Sequence, residues 1–191
     1  MKSNCPFCNI DKNQIYNTIL EETKNFIIMP TLGSLVEGYI LIITKKHLNN
    51  MESQKNKKEY QDLLEKYRNL FKKIYGKYPI IFEHGTISKN NTSSSIVHAH
   101  THIVNHNFEN EKEIISTLNL KEIKITKKEN KSYILYYSPN GTKYITYNFK
   151  PESQLMRLSI AKDLKIEEKY NWKNDYFIEN VKKTINKIKN K

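Results

Sequence analysis

The sequence predicts an α+β fold, in which one long helix packs on a five-stranded, mainly antiparallel sheet and a C-terminal β-hairpin and two helices follow. Three observations predict it. Residues 39–44 are almost entirely apolar, as in a central strand covered on both faces. Residues 52–76 repeat apolar side chains at the spacing of an amphipathic helix. Further along, Asn140-Gly141 separates two segments rich in tyrosine and isoleucine, which is a strong hairpin signal.

The other elements follow from shorter patterns. Residues 18–20 and 26–29 are short apolar runs, residues 80–83 are Ile-Ile-Phe-Glu, and residues 96–104 alternate histidine with other side chains, so each segment predicts a strand. The stripe of the long helix consists of Tyr60, Leu63, Leu64, Tyr67, Leu70, Phe71, Ile74 and Tyr75. Downstream we expect a short helix at 111–118, hairpin strands at 132–138 and 142–149, a helix from Pro151 to about Leu164, and a last helix at 174–188.

The composition narrows the function. The chain has 191 residues and a net charge of +12, but only two of its 32 basic residues are arginines, Arg68 and Arg157. Since arginine makes most bidentate contacts with phosphates and bases, a solvated lysine surface is favoured over a nucleic-acid-binding face, and the charge is compatible with a small anionic substrate. With no apolar run long enough to cross a bilayer and no signal-peptide pattern, we expect a cytoplasmic protein without membrane contact.

The most informative segment contains His98, His100 and His102. Alternate side chains of a strand share a face, so the three imidazoles are expected in one row, with Val97, Ala99, Thr101 and Ile103 turned to the core. Such a row is costly without a purpose, because each ring needs hydrogen bonds or solvent. The predicted strand therefore marks a candidate functional site.

Neutral imidazole has a free nitrogen that can attack phosphorus, and a backbone carbonyl that holds the ring N–H fixes which nitrogen faces the substrate. A neighbouring histidine can donate to a phosphate oxygen. His100 is flanked on both sides, which makes it the expected nucleophile of a double displacement through a nucleotidyl-histidine.

The motif at 98–104, His-x-His-x-His followed by two apolar residues, resembles that of the histidine-triad family of nucleotide hydrolases and transferases. Residues 30–47 look like the family's loop and central strand, and Cys5-Pro6-Phe7-Cys8 is similar to the N-terminus of its longer zinc-containing members of bacterial type. The resemblance implies a catalytic core at 1–108 and a packed extension at 109–191. It also implies a homodimer and an enzyme that cleaves a nucleotide conjugate, such as a phosphoramidate or a dinucleoside polyphosphate, at the α-phosphate.

Carried over by position, the family's roles make His100 the nucleophile, let His102 bind the reacting phosphate, and let Ser95 bond the phosphate or leaving group. Tyr39 stands where many members have histidine, and no acidic residue near Thr31 is placed to hold the ribose. We expect substrate contacts from Ile27, Met29, Tyr39, His84 and Ser94. Trp172 is expected in core packing, although one aromatic of the tail could cover the site.

The resemblance also implies a metal. Cys5 and Cys8 could join His47 and His98 in a tetrahedral site, a donor set that zinc accepts. With four protein ligands the zinc would be structural, and His98 would then not act as an acid or base. The other interpretation is two free reduced cysteines and a histidine that merely follows a strand.

Three alternatives stay open, one of which is a catalytically inactive scaffold. A nucleotidyltransferase or phosphorylase would share the covalent intermediate and pass the nucleotide to phosphate or a sugar phosphate. A zinc-stabilised nucleic-acid-binding or deadenylating protein would use the positive charge; nucleic acid is a possible partner that the sequence does not favour.

Overall fold

The computed structural model describes residues 5–87, 96–124, 131–147 and 154–191. These residues form the α-helices α1 (Lys58–Tyr75), α2 (Glu111–Thr117), α3 (Leu155–Asp163) and α4 (Ile178–Lys189). The strands are β1 (Glu21–Glu22), β2 (Phe26–Pro30), β3 (Tyr39–Thr44), β4 (Ile80–Gly85), β5 (His100–Val104), β6 (Lys121–Glu122), β7 (Tyr133–Tyr137) and β8 (Lys143–Tyr147).

All of these strands belong to one sheet, in the order β1-β2-β3-β5-β4-β7-β8-β6, and every pairing in it is antiparallel. The antiparallel prediction is thereby confirmed. The prediction of five strands was wrong, because the sheet has eight. The predicted hairpin is β7–β8, and β7 pairs with β4 along five residues, from Ile81 opposite Tyr137 to Gly85 opposite Tyr133. The hairpin therefore extends the same sheet.

One face of the sheet is covered by α1, as the apolar stripe predicts. The buried side chains of the helix pack against those of β2, β3 and β5, including Ile28, Ile42 and Ile103. The helix begins at Lys58, six residues later than predicted, and ends before Gly76. The turns before the helix are held to the sheet by Met51, which is fully buried and whose backbone N–H donates to the carboxylate of Glu83 at 2.6 Å. This bond to the sheet accounts for part of the later start of the helix.

The opposite face carries the second core cluster, in which residues of β3, β4 and β7 pack against α3. This helix ends at Asp163, one residue before the predicted end, while Pro151 lies outside the described residues. None of the described helices has the length and apolar character needed to span a membrane.

The C-terminal helix α4 holds the loop between β2 and β3. The backbone N–H of Gly38 donates to the hydroxyl of Thr184 at 2.8 Å, and the side-chain amide of Asn180 donates to the carbonyl of Ser34 at the same distance. The end of the chain is thus bonded to a loop that follows the second strand.

Candidate active site and adjoining metal centre

A cavity of about 330 Å³ opens on the sheet face that α3 partly covers. Its walls come from the N-terminal segment, from β2 to β5, from β7 and from the tail of the chain. The side chains used below are Phe7, Met29, Leu41, Phe82, His84, His100, His102, Gln154, Met156, Arg157 and Trp172. The sheet therefore presents two of the three motif histidines to one cavity.

The ring of His100 is fixed by the backbone of its own strand. Its Nδ1 atom lies 2.6 Å from the carbonyl oxygen of His98. A carbonyl can only accept, so Nδ1 must carry the proton and Nε2 keeps its lone pair. Phe7 packs edge-on against this ring, with the centroids 5.2 Å apart. His100 thus has the tautomer that a nucleophile needs.

His102 is held on three sides. The hydroxyl of Tyr39 lies 2.9 Å from its Nδ1 atom, and the ring of Phe82 stacks on it at 4.3 Å between centroids and an angle of 11°. The centroid of His100 is 4.8 Å away. These contacts place His102 directly beside the candidate nucleophile.

The surroundings keep the histidines of the cavity neutral. Burial lowers the pKa of His100 to about 4; the hydrogen bond to the His98 carbonyl opposes this, and repulsion from His98 and His84 adds to it. Burial also lowers the pKa of His84 to about 4 and that of His102 well below its ordinary value. The rings are therefore uncharged at neutral pH, and the lone pair of His100 is free to react.

The reverse face of β5 packs in the core as the alternation predicts. Ala99 and Ile103 belong to the cluster under α1, and Thr101 is buried with its hydroxyl 2.8 Å from that of Tyr60. Because this face is buried and its one hydroxyl is hydrogen-bonded, close packing directs His100 and His102 to the cavity side.

A second group of side chains includes the first motif histidine, His98. The donor atoms of Cys5, Cys8, His47 and His98 all lie within 4.8 Å of one another. The Sγ atoms of Cys5 and Cys8 are 3.3 Å and 3.6 Å from Nδ1 of His98, and Cys8 Sγ is 3.2 Å from Nδ1 of His47. The sequence motif and the central strands thus bring four metal-ligating side chains together.

The donor chemistry of this cluster fits zinc. Two thiolates and two imidazoles form a common tetrahedral ligand set. Nε2 of His98 lies 2.6 Å from the carbonyl oxygen of Thr44, so this nitrogen carries the proton and Nδ1 faces the cysteines. Such a bond to the second ring nitrogen is typical of a metal-ligating histidine. The same residue, His98, supplies the carbonyl that orients His100, so the cluster anchors the candidate nucleophile.

The residues predicted to contact substrate lie in different places. Met29 and His84 line the cavity. Ile27 and Tyr39 are not among the described residues that line it, and Tyr39 is fully buried behind His102. Ser94 and Ser95 lie outside the described residues. The roles assigned to all of these side chains stay predictions.

The sequence interpretation allowed that one aromatic of the tail could cover the site, but it named no tail residue among the substrate contacts. Gln154, Met156, Arg157 and Trp172 line the cavity, and Trp172 was expected in the core instead. Helix α3 has no single apolar stripe, since its buried residues include Met156, Arg157 and Ser159 on different sides. The one available signal was that Arg157 is one of only two arginines in a lysine-rich chain.

The comparisons with known proteins bear on this arrangement. A family model described as "Protein similar to CwfJ C-terminal" matches residues 1–118, well over half of the chain. The chain belongs to this family. The match of the CwfJ C-terminal-like family includes the cysteine pair and the whole histidine motif. No curated protein matches the sequence.

Several solved structures resemble the chain at low identity. A hypothetical histidine triad nucleotide-binding protein from Sulfolobus tokodaii is 17% identical, with 97% of this chain and 93% of that chain covered and a TM-score of 0.39. The Ap4A phosphorylase of yeast, in complex with AMP, is 12% identical, with 76% of this chain and 64% of that chain covered and a TM-score of 0.46. A Hit-like protein involved in cell-cycle regulation from Bartonella henselae is 18% identical, with 45% of this chain and 63% of that chain covered and a TM-score of 0.36.

The chain spans less than two thirds of the length of the yeast and Bartonella proteins. The function of this CwfJ C-terminal-like chain must therefore be inferred from its own residues.

Proposed function

We propose that the chain is a nucleotide hydrolase that cleaves a nucleotide conjugate at the α-phosphate through a covalent nucleotidyl-histidine on His100. One observation carries the proposal: Nδ1 of His100 is bonded to the His98 carbonyl at 2.6 Å, and the ring lines a cavity beside His102. A neutral imidazole with a fixed tautomer is a nucleophile that needs no prior deprotonation.

The reaction has two steps. In the first, the Nε2 lone pair of His100 forms a bond to the α-phosphorus, while the bond to the leaving group breaks and the leaving group takes a proton from water. In the second, a water oxygen bonds to phosphorus and the phosphorus–nitrogen bond breaks. The water proton goes to solvent, a nucleoside monophosphate leaves, and His100 is again neutral.

The neighbouring side chains have distinct roles in this scheme. His102 donates from its ring to an oxygen of the reacting phosphate, and Ser95 has the predicted role of bonding that phosphate or the leaving group. Met29 and Leu41, which line the cavity, offer apolar surface to the base. His84 also lines the cavity, and its uncharged ring offers the substrate a further polar contact.

The same proposal includes a structural zinc ion held by Cys5, Cys8, His47 and His98. Its support is the fit of the four donor atoms described above. When bound, zinc cross-links the N-terminal segment to the strands behind the triad, and with four protein ligands it leaves no position for a reacting water. A homodimer remains a prediction from the family resemblance, and a cytoplasmic location remains a prediction from the sequence pattern.

The test is turnover of a panel of labelled conjugates: an adenosine phosphoramidate, a dinucleoside polyphosphate and a nucleotide sugar. We expect release of a nucleoside monophosphate by the wild type and a loss of about a thousandfold or more in His100→Ala. The matched control is His106→Ala, since His106 is a buried histidine that pairs with Asp163 at 2.9 Å and is not on the cavity wall.

Turnover that survives in His100→Ala would contradict the covalent mechanism. Adding an acceptor separates the transferase from the hydrolase. With inorganic phosphate a phosphorylase would release a nucleoside diphosphate in place of the monophosphate, and with a sugar phosphate a nucleotidyltransferase would release a nucleotide sugar. Rapid quenching should trap label on the wild-type chain in either case, because both reactions share the intermediate.

A further inference from the structure

Arg157 of helix α3 is a buried cation. Its side chain is 5% exposed, although it lines the cavity. Its Nε atom donates to the carbonyl of Tyr170 at 3.1 Å, and one terminal nitrogen donates to the carbonyl of Gly33 at 2.6 Å. Both partners are neutral, so they orient the guanidinium without balancing its charge.

No carboxylate among the described residues forms an ion pair with this guanidinium. A buried charge is costly unless an opposite charge accompanies it, and arginine does not lose its proton in proteins. The guanidinium also has five N–H donors, and its neutral partners, the two carbonyls and the hydroxyl of Tyr39, do not use all of them. A group that supplies negative charge and further acceptors at the cavity wall would meet both needs.

The guanidinium is near the histidine motif. Its carbon atom lies 5.7 Å from the centroid of the Tyr39 ring, and the hydroxyl of that tyrosine is the group bonded to His102. One aromatic ring therefore connects Arg157 to the motif. His102 and Arg157 also line the same cavity, so an anion bound there has access to both side chains.

The position of Arg157 is also built into the loop between β2 and β3. Gly33 has φ +71°, and a Cβ atom at this position would lie 2.8 Å from a terminal nitrogen of Arg157 and 2.6 Å from Cβ of Trp172. Only glycine lets the tail approach the loop this closely. The guanidinium is thus held in place before any ligand arrives, which lowers the entropic cost of binding.

We propose that Arg157 is an anion-binding residue of the cavity, which holds a phosphate group of the substrate and makes the C-terminal segment part of the binding site. The proposal rests on the proposed function for the identity of the anion as a nucleotide phosphate. The competing explanation is a purely structural role, in which the side chain only ties α3 to the loop through Gly33.

Titration calorimetry with adenosine 5′-monophosphate and with adenosine separates the two explanations, because the ligands differ only in the phosphate. In Arg157→Gln we expect the affinity for the monophosphate to fall about 10- to 100-fold and that for adenosine to change less than about twofold. In Arg157→Lys, which keeps the charge but loses the planar fork, the monophosphate loses affinity to a smaller extent.

The matched control is Arg68→Gln. Arg68 is the other arginine of the chain, and it also donates to two backbone carbonyls, of Ser138 and Pro139, and lies over a tyrosine ring, that of Tyr78. It is not on the cavity wall. We expect Arg68→Gln to leave both affinities unchanged. The comparison then shows whether losing an arginine bound to backbone carbonyls lowers ligand affinity by destabilising the fold in general.

Equal losses of affinity for both ligands in Arg157→Gln would overturn the proposal, and so would a wild type that does not prefer the monophosphate. If Arg157→Gln does not fold, Arg157→Lys decides: an unchanged ratio of the two affinities overturns the proposal. Turnover of conjugates is a separate readout. If the preference for the monophosphate depends on Arg157 but no conjugate is turned over, the anion site is supported and the proposed hydrolase is contradicted. If conjugates are turned over but the preference does not depend on Arg157, the hydrolase is supported and the anion site is contradicted.

Discussion

The hydroxyl of Tyr39 lies 2.9 Å from Nδ1 of His102. The two side chains come from neighbouring strands, since Tyr39 pairs with Val104 and Leu41 with His102 in the β3–β5 register. Burial raises the pKa of Tyr39 to about 12, so the phenol keeps its proton. When it donates that proton to Nδ1, His102 carries its own hydrogen on Nε2, where it can meet a phosphate oxygen.

We expect Tyr39→Phe to lower kcat/KM about tenfold, because His102 would lose the bond that selects its tautomer. The measurement is steady-state kinetics with a conjugate that the wild type hydrolyses. The control is Tyr60→Phe, which removes a similar buried hydroxyl contact, to Thr101 at 2.8 Å, from the opposite face of β5. Both variants should lose about 1 kcal/mol of unfolding free energy, but only Tyr39→Phe should lose activity. Equal activity in the two variants would refute the role of Tyr39.

Metal analysis of freshly purified, reduced protein should find about one zinc ion per chain. We expect Cys8→Ser to retain less than about half of this zinc, and removal of the metal with a chelator to lower Tm by about 5–10 °C, because the site joins the N-terminal segment to the strands. His84→Gln is the control, since it removes a nearby histidine that is not in the ligand cluster. Less than about half an equivalent of zinc in the wild type would count against the site.

Glu83 predicts a pH dependence of stability. The side chain is 2% exposed, and it accepts hydrogen bonds from the Met51 N–H at 2.6 Å and the Tyr133 hydroxyl at 2.8 Å. Burial nevertheless raises its pKa from 4.5 to about 7. The folded chain therefore binds a proton at Glu83 more tightly than the unfolded chain. The stability that results is present below pH 4.5 and is lost as the pH rises through 7.

Between pH 5 and pH 8, the unfolding free energy of the wild type should fall by about 2–3 kcal/mol relative to Glu83→Gln, whose side chain does not titrate. Denaturant unfolding of both proteins at several pH values measures this difference. The comparison cancels the other groups that titrate in the same range. A difference that stays constant across the range would show that Glu83 has the same pKa in both states.

Gly85 gives a test of the packing between β4 and β7. A Cβ atom at this position would lie 2.3 Å from Cζ of Tyr133, the residue that pairs with Gly85 in the sheet. We expect Gly85→Ala to cost about 2 kcal/mol of unfolding free energy through this overlap. In a Tyr133→Ala background, the same substitution should cost less than about 1 kcal/mol. Equal costs in the two backgrounds would exclude a clash between these residues.

Local patterns predicted much of this fold. The alternation at 96–104 located β5, although the strand begins only at His100, and it predicted the burial of Ala99 and Ile103. Asn140-Gly141 identified the hairpin, because each of these signals arises within a few residues. The pairing of β7 with β4 was missed, since it depends on contacts about fifty residues apart that no local pattern encodes. The strand count failed for this reason and because the two-residue strands β1 and β6 have no apolar pattern, while the segment 18–20, which was expected as a strand, lies just before β1.

The candidate site was predictable to the same extent. His100 and His102 were found because their spacing of two places them on one face of a strand, and the cysteine pair was found from its spacing and the resemblance. Arg157 was missed because a single arginine in a helix without an apolar stripe has the appearance of a surface residue. Its approach to Gly33 results from tertiary packing of segments 124 residues apart.

The bonds between α4 and the β2–β3 loop have a thermodynamic consequence. Thr184 and Asn180 form hydrogen bonds with Gly38 and Ser34. The cavity wall includes Trp172, which lies in the segment that leads to this helix. We expect occupancy of the cavity and docking of the last helix to favour each other, and linkage makes the effect of each on the other equal in free energy. A bound nucleotide should slow hydrogen exchange along α4, and clipping the C-terminus should weaken nucleotide affinity.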